Sequence, residues 1–421
     1  MSSVTLRAAV AALAVSGLVA TGLPAATSAG SQGEDRSRER SAGAQWQTRV
    51  AAFGDSGHTR HSSDRRRGPI APYVSPKDQT PLLRTTPVQQ PMGPGVTYTR
   101  WGQTDARGPI QAHLLAVDLD TPGVRLDVVN PGRVAAVEDV LTMARRNGVL
   151  AAVNGDFYDI GRTGAPLGVS ASPRSGLMNA RETGWNQGFY LTRKGRPQFG
   201  EVTFTGRIRE RPGARVTNVN SHFVLPGGIG VYTPRWGRSP GYAVTQGQQR
   251  DIRMVEIRDG RVVANRGKLR PGREIRGIVL VGRGPGAVEL RKLGRGPAHV
   301  SWWLRGRPQL VITGSKLLID DGQVMVVDDA EMHPRTAVGI DRDTNEVLML
   351  AVDGRSEESR GYTMVELARM MQDLGADEAL NLDGGGSTTM VGRRSGTLRV
   401  LNDPSDSVLR NVANALVVRR D

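Results

Sequence analysis

The chain has 421 residues, a formal net charge of +15 and no cysteine. That composition excludes a disulfide-stapled scaffold, a thiolate metal centre and lipid attachment through cysteine, and it leaves room for a large domain with its own apolar core. Such a basic balance often signals nucleic acid, but the character of the N-terminus points instead to anionic wall polymers or phosphorylated glycans as partners, with no nucleic-acid role.

Residues 1–30 read as a secretory signal peptide. Arg7 supplies a basic start, Ala8 to Ala20 an apolar stretch, and small residues around Ala26 to Ala29 a cleavage region. The apolar run is short for a membrane span, so the expected product is secreted or associated with the cell envelope, and not transmembrane after processing. Residues 31–95 are rich in Ser, Arg, Gly, Pro and Gln and are expected to be a disordered basic linker. Within it, Arg65, Arg66 and Arg67 read either as a solvated run or as a contact with an anionic envelope.

From 96 to 421 the pattern changes to short apolar runs between turns. HLLAVDLD, VRLDVVN, FYLTR, MVEIRDGRVVA, IVLVG, LVITG and GQVMVV all read as strands. Val137, Val140, Leu141 and Ala144 form a helical stripe that ends near Gly148, and VLAAV then reads as a buried strand running into Asn154, Gly155 and Asp156. GRGPG at 282–286 reads as a turn, since no helical pattern is evident after it. RTAVGIDRDTNEVLMLAVDG is a hairpin around a polar turn, with Arg335 opening one strand and Asp353 closing the other. The outer ends of such a hairpin lie together, which can bring Arg335, Asp353 and Arg355 beside each other; an Arg fork there suits phosphate, while an ordinary structural ion pair is the alternative.

The segment from Gly361 to Met390, GYTMVELARMMQDLGADEALNLDGGGSTTM, is the most informative. Thr363 and Glu366 form a capping box, Met364, Leu367, Ala368, Met371 and Leu374 recur at helical spacing, and Gly375 stops the helix. Ala379 to Leu382 is a short strand, which puts Asn381 and Asp383 on one face. Gly384, Gly385 and Gly386 permit close approach of backbone N–H groups to a ligand, and Ser387 and Thr388 add hydroxyls. Two strands thus end in Asn-x-Asp, at Asn154 and at Asn381. Two strand ends converging on one polar pocket is one reading; turn signals made by Asn and Asp is the other.

The fold class expected is α+β: a mixed or antiparallel sheet system with a few packed helices in a single large catalytic domain, and a β-rich lobe near 200–300. No Walker loop, GxSxG elbow or EF-hand is present. No cofactor is certain, although a carboxylate site for calcium or magnesium is compatible with Asp156, Asp353 or Asp383.

AAVNGDFYD, VYTPRWG, GSKLLIDDGQV, HPRTAVGID, AVDGR, NLDGGGSTTM, NDPSD and RNVANALVV occur in this order in the chain. In that combination the sequence resembles the phosphodiester glycosidase family. The resemblance implies an exported hydrolase that cleaves the anomeric C–O bond of a sugar-1-phosphodiester and releases free sugar. Read with that chemistry, Asp383 and Asp156 act at the anomeric centre and Asp353 supports or replaces them. Arg335 and the loop Gly384–Thr388 hold phosphate, and Asn154, Gly155, Asn381 and Asn414 bind the substrate. The alternative is a non-catalytic binding protein for anionic wall or exopolysaccharide glycans.

Overall fold

The computed structural model describes residues 67–75 and 83–420. The expected signal peptide and residues 31–66 of the expected linker lie outside the described residues. The rest of that linker is not all irregular: Leu83–Arg84 and Val88–Gly93 both pair with the strand Val96–Asp105, so strand pairing begins upstream of the boundary expected at residue 96. Gln89, Gln90 and Pro91 make this edge strand polar, which is why composition alone reads it as linker.

Three sheets carry the fold. A nine-stranded sheet is built around the hairpin Arg335–Asp341 and Glu346–Val352, flanked by Gly108–Asp118 on one side and Glu378–Asn381 on the other. A five-stranded sheet runs in the order Thr397–Val400, Met390–Arg394, Ala151–Asn154, Ala415–Arg420, Val124–Val129. A twelve-stranded system contains the strands between 170 and 313, and is antiparallel except where Val216–Val219 runs parallel to Ile229–Tyr232. The hairpin is in register as its polar turn predicts, with Arg335 opposite Val352 and Asp341 opposite Glu346.

One apolar core draws on all three sheets, with Val338 and Met349 from the first, Val153 and Leu416 from the second, and Phe189 and Ile312 from the third. The helices cover outer faces. Met364–Asp373 places Leu367 and Met371 on Ala337 and Leu348, and its capping box is present as expected. Val140–Arg146 lays Met143 and Ala144 on Ala152 and Val417. It starts later than the stripe suggests, because Asp139 caps it and leaves Val137 exposed.

A third helix, Pro285–Arg291, stands where a turn was expected. Gly284 adopts φ 50° and Pro285 follows at the first helical turn, where its preset φ and missing N–H cost nothing. Only 9% of the structure is helical, so the fold is predominantly β, with antiparallel and mixed sheets, rather than a balanced α+β fold. Among the described residues no helix is long and apolar enough to cross a membrane.

Candidate active site

The site lies where the five-stranded and nine-stranded sheets meet. Ala151–Asn154 and Glu378–Asn381 belong to different sheets, yet the segments after them are tied together. Asn154 Nδ2 donates to the backbone oxygen of Asp383 at 2.7 Å, and Asp383 N–H donates to Gly155 O at 3.0 Å. Asn154 Oδ1 accepts from Thr336 Oγ1 at 2.8 Å and from Thr389 N–H at 3.1 Å. Three hydrogen bonds of the Asn154 side chain are thus used to fix the loop, a buried amide acting as a cross-brace.

Asp156 follows directly. Its Oδ2 accepts from Thr313 Oγ1 at 2.7 Å and from Gly168 N–H at 3.0 Å, while its own N–H donates to Asn414 Oδ1 at 2.8 Å. Its Oδ1 is buried and has no hydrogen-bond partner among the described residues, and the same holds for Asn414 Nδ2 and Ser387 Oγ. Burial pushes the Asp156 carboxyl well above the usual range; the bonds from Thr313 and Gly168 oppose that rise, and the charge of Asp383 adds to it. Two buried carboxylates that repel one another at the ends of strands from different sheets are what a site for acid and base chemistry requires.

Arg181 is the cation facing this pair. Its Nε and Nη1 donate to Thr183 O and Leu167 O, and the charge of Asp156 partly offsets a burial that pulls its pKa down to about 10. On the other side, Asp406 and Arg410 pair at 2.6 Å and pack on Gly386, where an added Cβ would collide with both. Arg355, with φ 66°, places Nη2 3.1 Å from where a Cβ on Gly385 would stand, and 3.2 Å from His333 Nδ1.

The structure corrects several expectations. Several loop amides are spent within the fold: those of Gly385, Ser387 and Thr388 donate to Pro334 O, Gly384 O and Gly385 O, and that of Thr389 to Asn154. The glycines serve close packing instead, since a Cβ on Gly384 would stand 2.7 Å from Pro334 O. The strand ends at Asn381, whose Nδ2 donates to Ser315 Oγ at 2.8 Å.

Arg335 and Asp353 also differ from the expected triplet. Asp353 pairs with His113 Nε2 at 2.9 Å rather than with an arginine, and its Oδ1 accepts from Asn402 Nδ2 and Asp403 N–H. Asn402 in turn donates to Thr388 O at 3.2 Å, so Asp353 reaches the loop through Asn402. The Arg335 guanidinium donates to Tyr362 O at 2.8 Å and Glu331 O at 3.2 Å, and its main charged neighbours are Asp328, Glu366, Arg355 and Glu331. The cause is strand alternation: Thr336 turns to Asn154, so Arg335 turns to the opposite face. Sequence reasoning missed the roles of Arg181, Thr313, Asn402 and the Asp406–Arg410 pair, although Asn402 and Asp406 lie in NDPSD, Arg410 opens RNVANALVV and Thr313 lies in the strand LVITG.

The fold is predominantly β and holds a pair of buried carboxylates. The structure is similar in fold to a hypothetical protein from Synechocystis (TM-score 0.64, 23% identity, 79% of this chain and 64% of that one). It is similar also to a solved protein from Burkholderia pseudomallei (TM-score 0.66, 19% identity, 84% of this chain and 100% of that one).

Residues 230–419 match the phosphodiester glycosidase family model. It is 32% identical over 113 residues to the N-acetylglucosamine-1-phosphodiester alpha-N-acetylglucosaminidase of Mus musculus, a stretch that is 24% of this chain. The chain spans 21% of the length of that relative. Asp383, Arg335 and Asn414 lie inside the matched segment, whereas Asn154, Asp156 and Arg181 lie before it.

Proposed function

We propose that the chain hydrolyses a sugar-1-phosphodiester at the anomeric carbon. The observation that carries this reading is that two buried carboxylates, Asp156 and Asp383, act electrostatically on one another, and that Asp156 has an oxygen with no partner among the described residues. Water adds to C1, the electron pair of the C1–O bond leaves with the phosphate, and a carboxylate takes the proton of the water. Phosphate is a good leaving group, so the heavier demand falls on the base or nucleophile. In this reading Asp383 is that group. Asp156, held toward its protonated form, exchanges the proton.

Asn414 Nδ2 and Ser387 Oγ have donors to spare and are assigned to sugar hydroxyls or phosphate oxygens. Arg355 flanks the loop at Gly385, and Arg335 backs it as its electrostatic neighbour. Asp353 is a positioning residue acting through Asn402. Among the described residues no group of three or more His, Cys, Asp or Glu is placed to hold a metal ion, so a calcium or magnesium ion would rest on the two carboxylates and neutral oxygens. Export rests on the character of residues 1–30.

The test is release of reducing sugar from a panel of sugar-1-phosphodiesters, with and without chelator. Asp383→Asn should lower turnover by about 10²–10⁴-fold with the melting temperature held near that of the parent. A stable Asp383→Asn protein with parental turnover would sink the assignment. Binding of anionic glycan without release of sugar would return the chain to the non-catalytic reading.

A further inference from the structure

At the far end of the strands from the carboxylates, a cavity of about 800 Å³ opens where all three sheets contribute. Its walls carry Arg125, Arg174, Lys194, Arg196, Arg342 and Arg419, against Asp120 and Asp127. Asp127 is already neutralised. Its Oδ2 accepts from Arg419 Nε at 2.7 Å and its Oδ1 from Ser172 Oγ at 2.6 Å, and the residue is buried. Arg342 is paired with Glu378. Arg125 also has a partner. Arg174, Lys194 and Arg196 are exposed, and among the described residues none of their side chains has a hydrogen bond or ion pair.

A cavity of about 220 Å³ adjoins it, sharing Asp127, Arg174 and Arg419 and adding Arg146, whose guanidinium pairs with Glu138. The cationic lining is therefore a track longer than a single small anion requires. It is also separate from the carboxylate pocket. On the strand Ala415–Arg420, Ala415 pairs with Asn154 and Arg419 with Arg125, so the two sites are about 14 Å apart along that strand alone.

We propose that this track binds a linear polyanion bearing repeated phosphate groups. Arginine forks at the rim suit phosphate oxygens, a neutralised floor leaves the net field positive, and two joined cavities offer successive sites along one polymer. The inference does not rest on the glycosidase reading, because its readout is binding and not sugar release.

The probe is inorganic polyphosphate, titrated into the whole chain at physiological ionic strength. Arg174→Glu, Lys194→Glu and Arg196→Glu together should weaken binding at least about tenfold, and the corresponding Gln triple should weaken it in the same direction. A control triple of exposed cations elsewhere, Arg250→Glu, Arg295→Glu and Arg399→Glu, changes the net charge equally and should shift affinity less than about twofold. Turnover of a small sugar phosphodiester should stay at the parental level in both triples. Equal weakening by the two Glu triples, or no binding of polyphosphate by the parent, overturns the proposal.

Discussion

The side-chain amide of Asn154 holds the backbone oxygen of Asp383 at 2.7 Å, so a strand end in the five-stranded sheet fixes a residue that follows a strand of another sheet. The same amide oxygen holds Thr336 and Thr389. Asn154 thereby braces the two strand ends against each other.

Asp156→Asn should stabilise the protein at neutral pH while lowering activity. A carboxyl whose folded pKa is raised above its unfolded value binds its proton more tightly in the native state, so its favourable contribution is complete below the unfolded value and declines as pH rises through the folded one. At pH 7 the parent carries that penalty and the amide does not. Melting temperatures measured from pH 3 to 8 should show Asp156→Asn above the parent at neutral pH, with the gap closing toward pH 4. A gap that widens on acidification would contradict the assigned direction.

Much of this pocket could be read from residues alone, and the part that could not has a common cause. The strand before Asn154, the hairpin and the capped helix at Met364 are local patterns whose period decides them. Asp156 and Asp383 were marked by their type at the ends of apolar strands. What failed was direction. One step from Arg335 to Thr336 reverses where a side chain points, and that step leaves no trace in composition. Arg181 and Thr313 come from the twelve-stranded system and meet Asp156 only through the tertiary fold.

Gly155→Ala should disable the site from inside. A Cβ there would collide with Asn414 Oδ1, and stand 2.8 Å from Ile312 Cδ1 and 3.0 Å from Asn414 O. Since Asn414 Oδ1 receives the Asp156 amide, relief of the clash moves the carboxylate as well. A loss of about 1–3 kcal/mol in denaturant unfolding is expected, together with a fall in kcat beyond what the unfolded fraction explains. Parental stability and turnover would show that the crowding is not real.

Arg355→Lys and Arg335→Lys should separate two roles. Arg355 stands against the loop at Gly385, so loss of its fork should raise KM for a phosphodiester more than it lowers melting temperature. Arg335 is spent on two backbone carbonyls, so its replacement should lower melting temperature, by about 1–3 kcal/mol in stability, with the smaller effect on KM. The reverse order would place the phosphate on the Arg335 side.

The bonds that build the pocket join residues 229, 182, 157 and 258 positions apart. Loop closure over such spans must precede any reward from the contact, which makes these among the slowest pairings of the chain to form. The carboxylates are thus kept apart until most of the sheet structure exists, and a nascent or truncated chain holds each one in isolation. Recovery from denaturant should accordingly proceed in order, strand signal before catalytic competence, with the lag between them measuring the closure of the Asn154 brace.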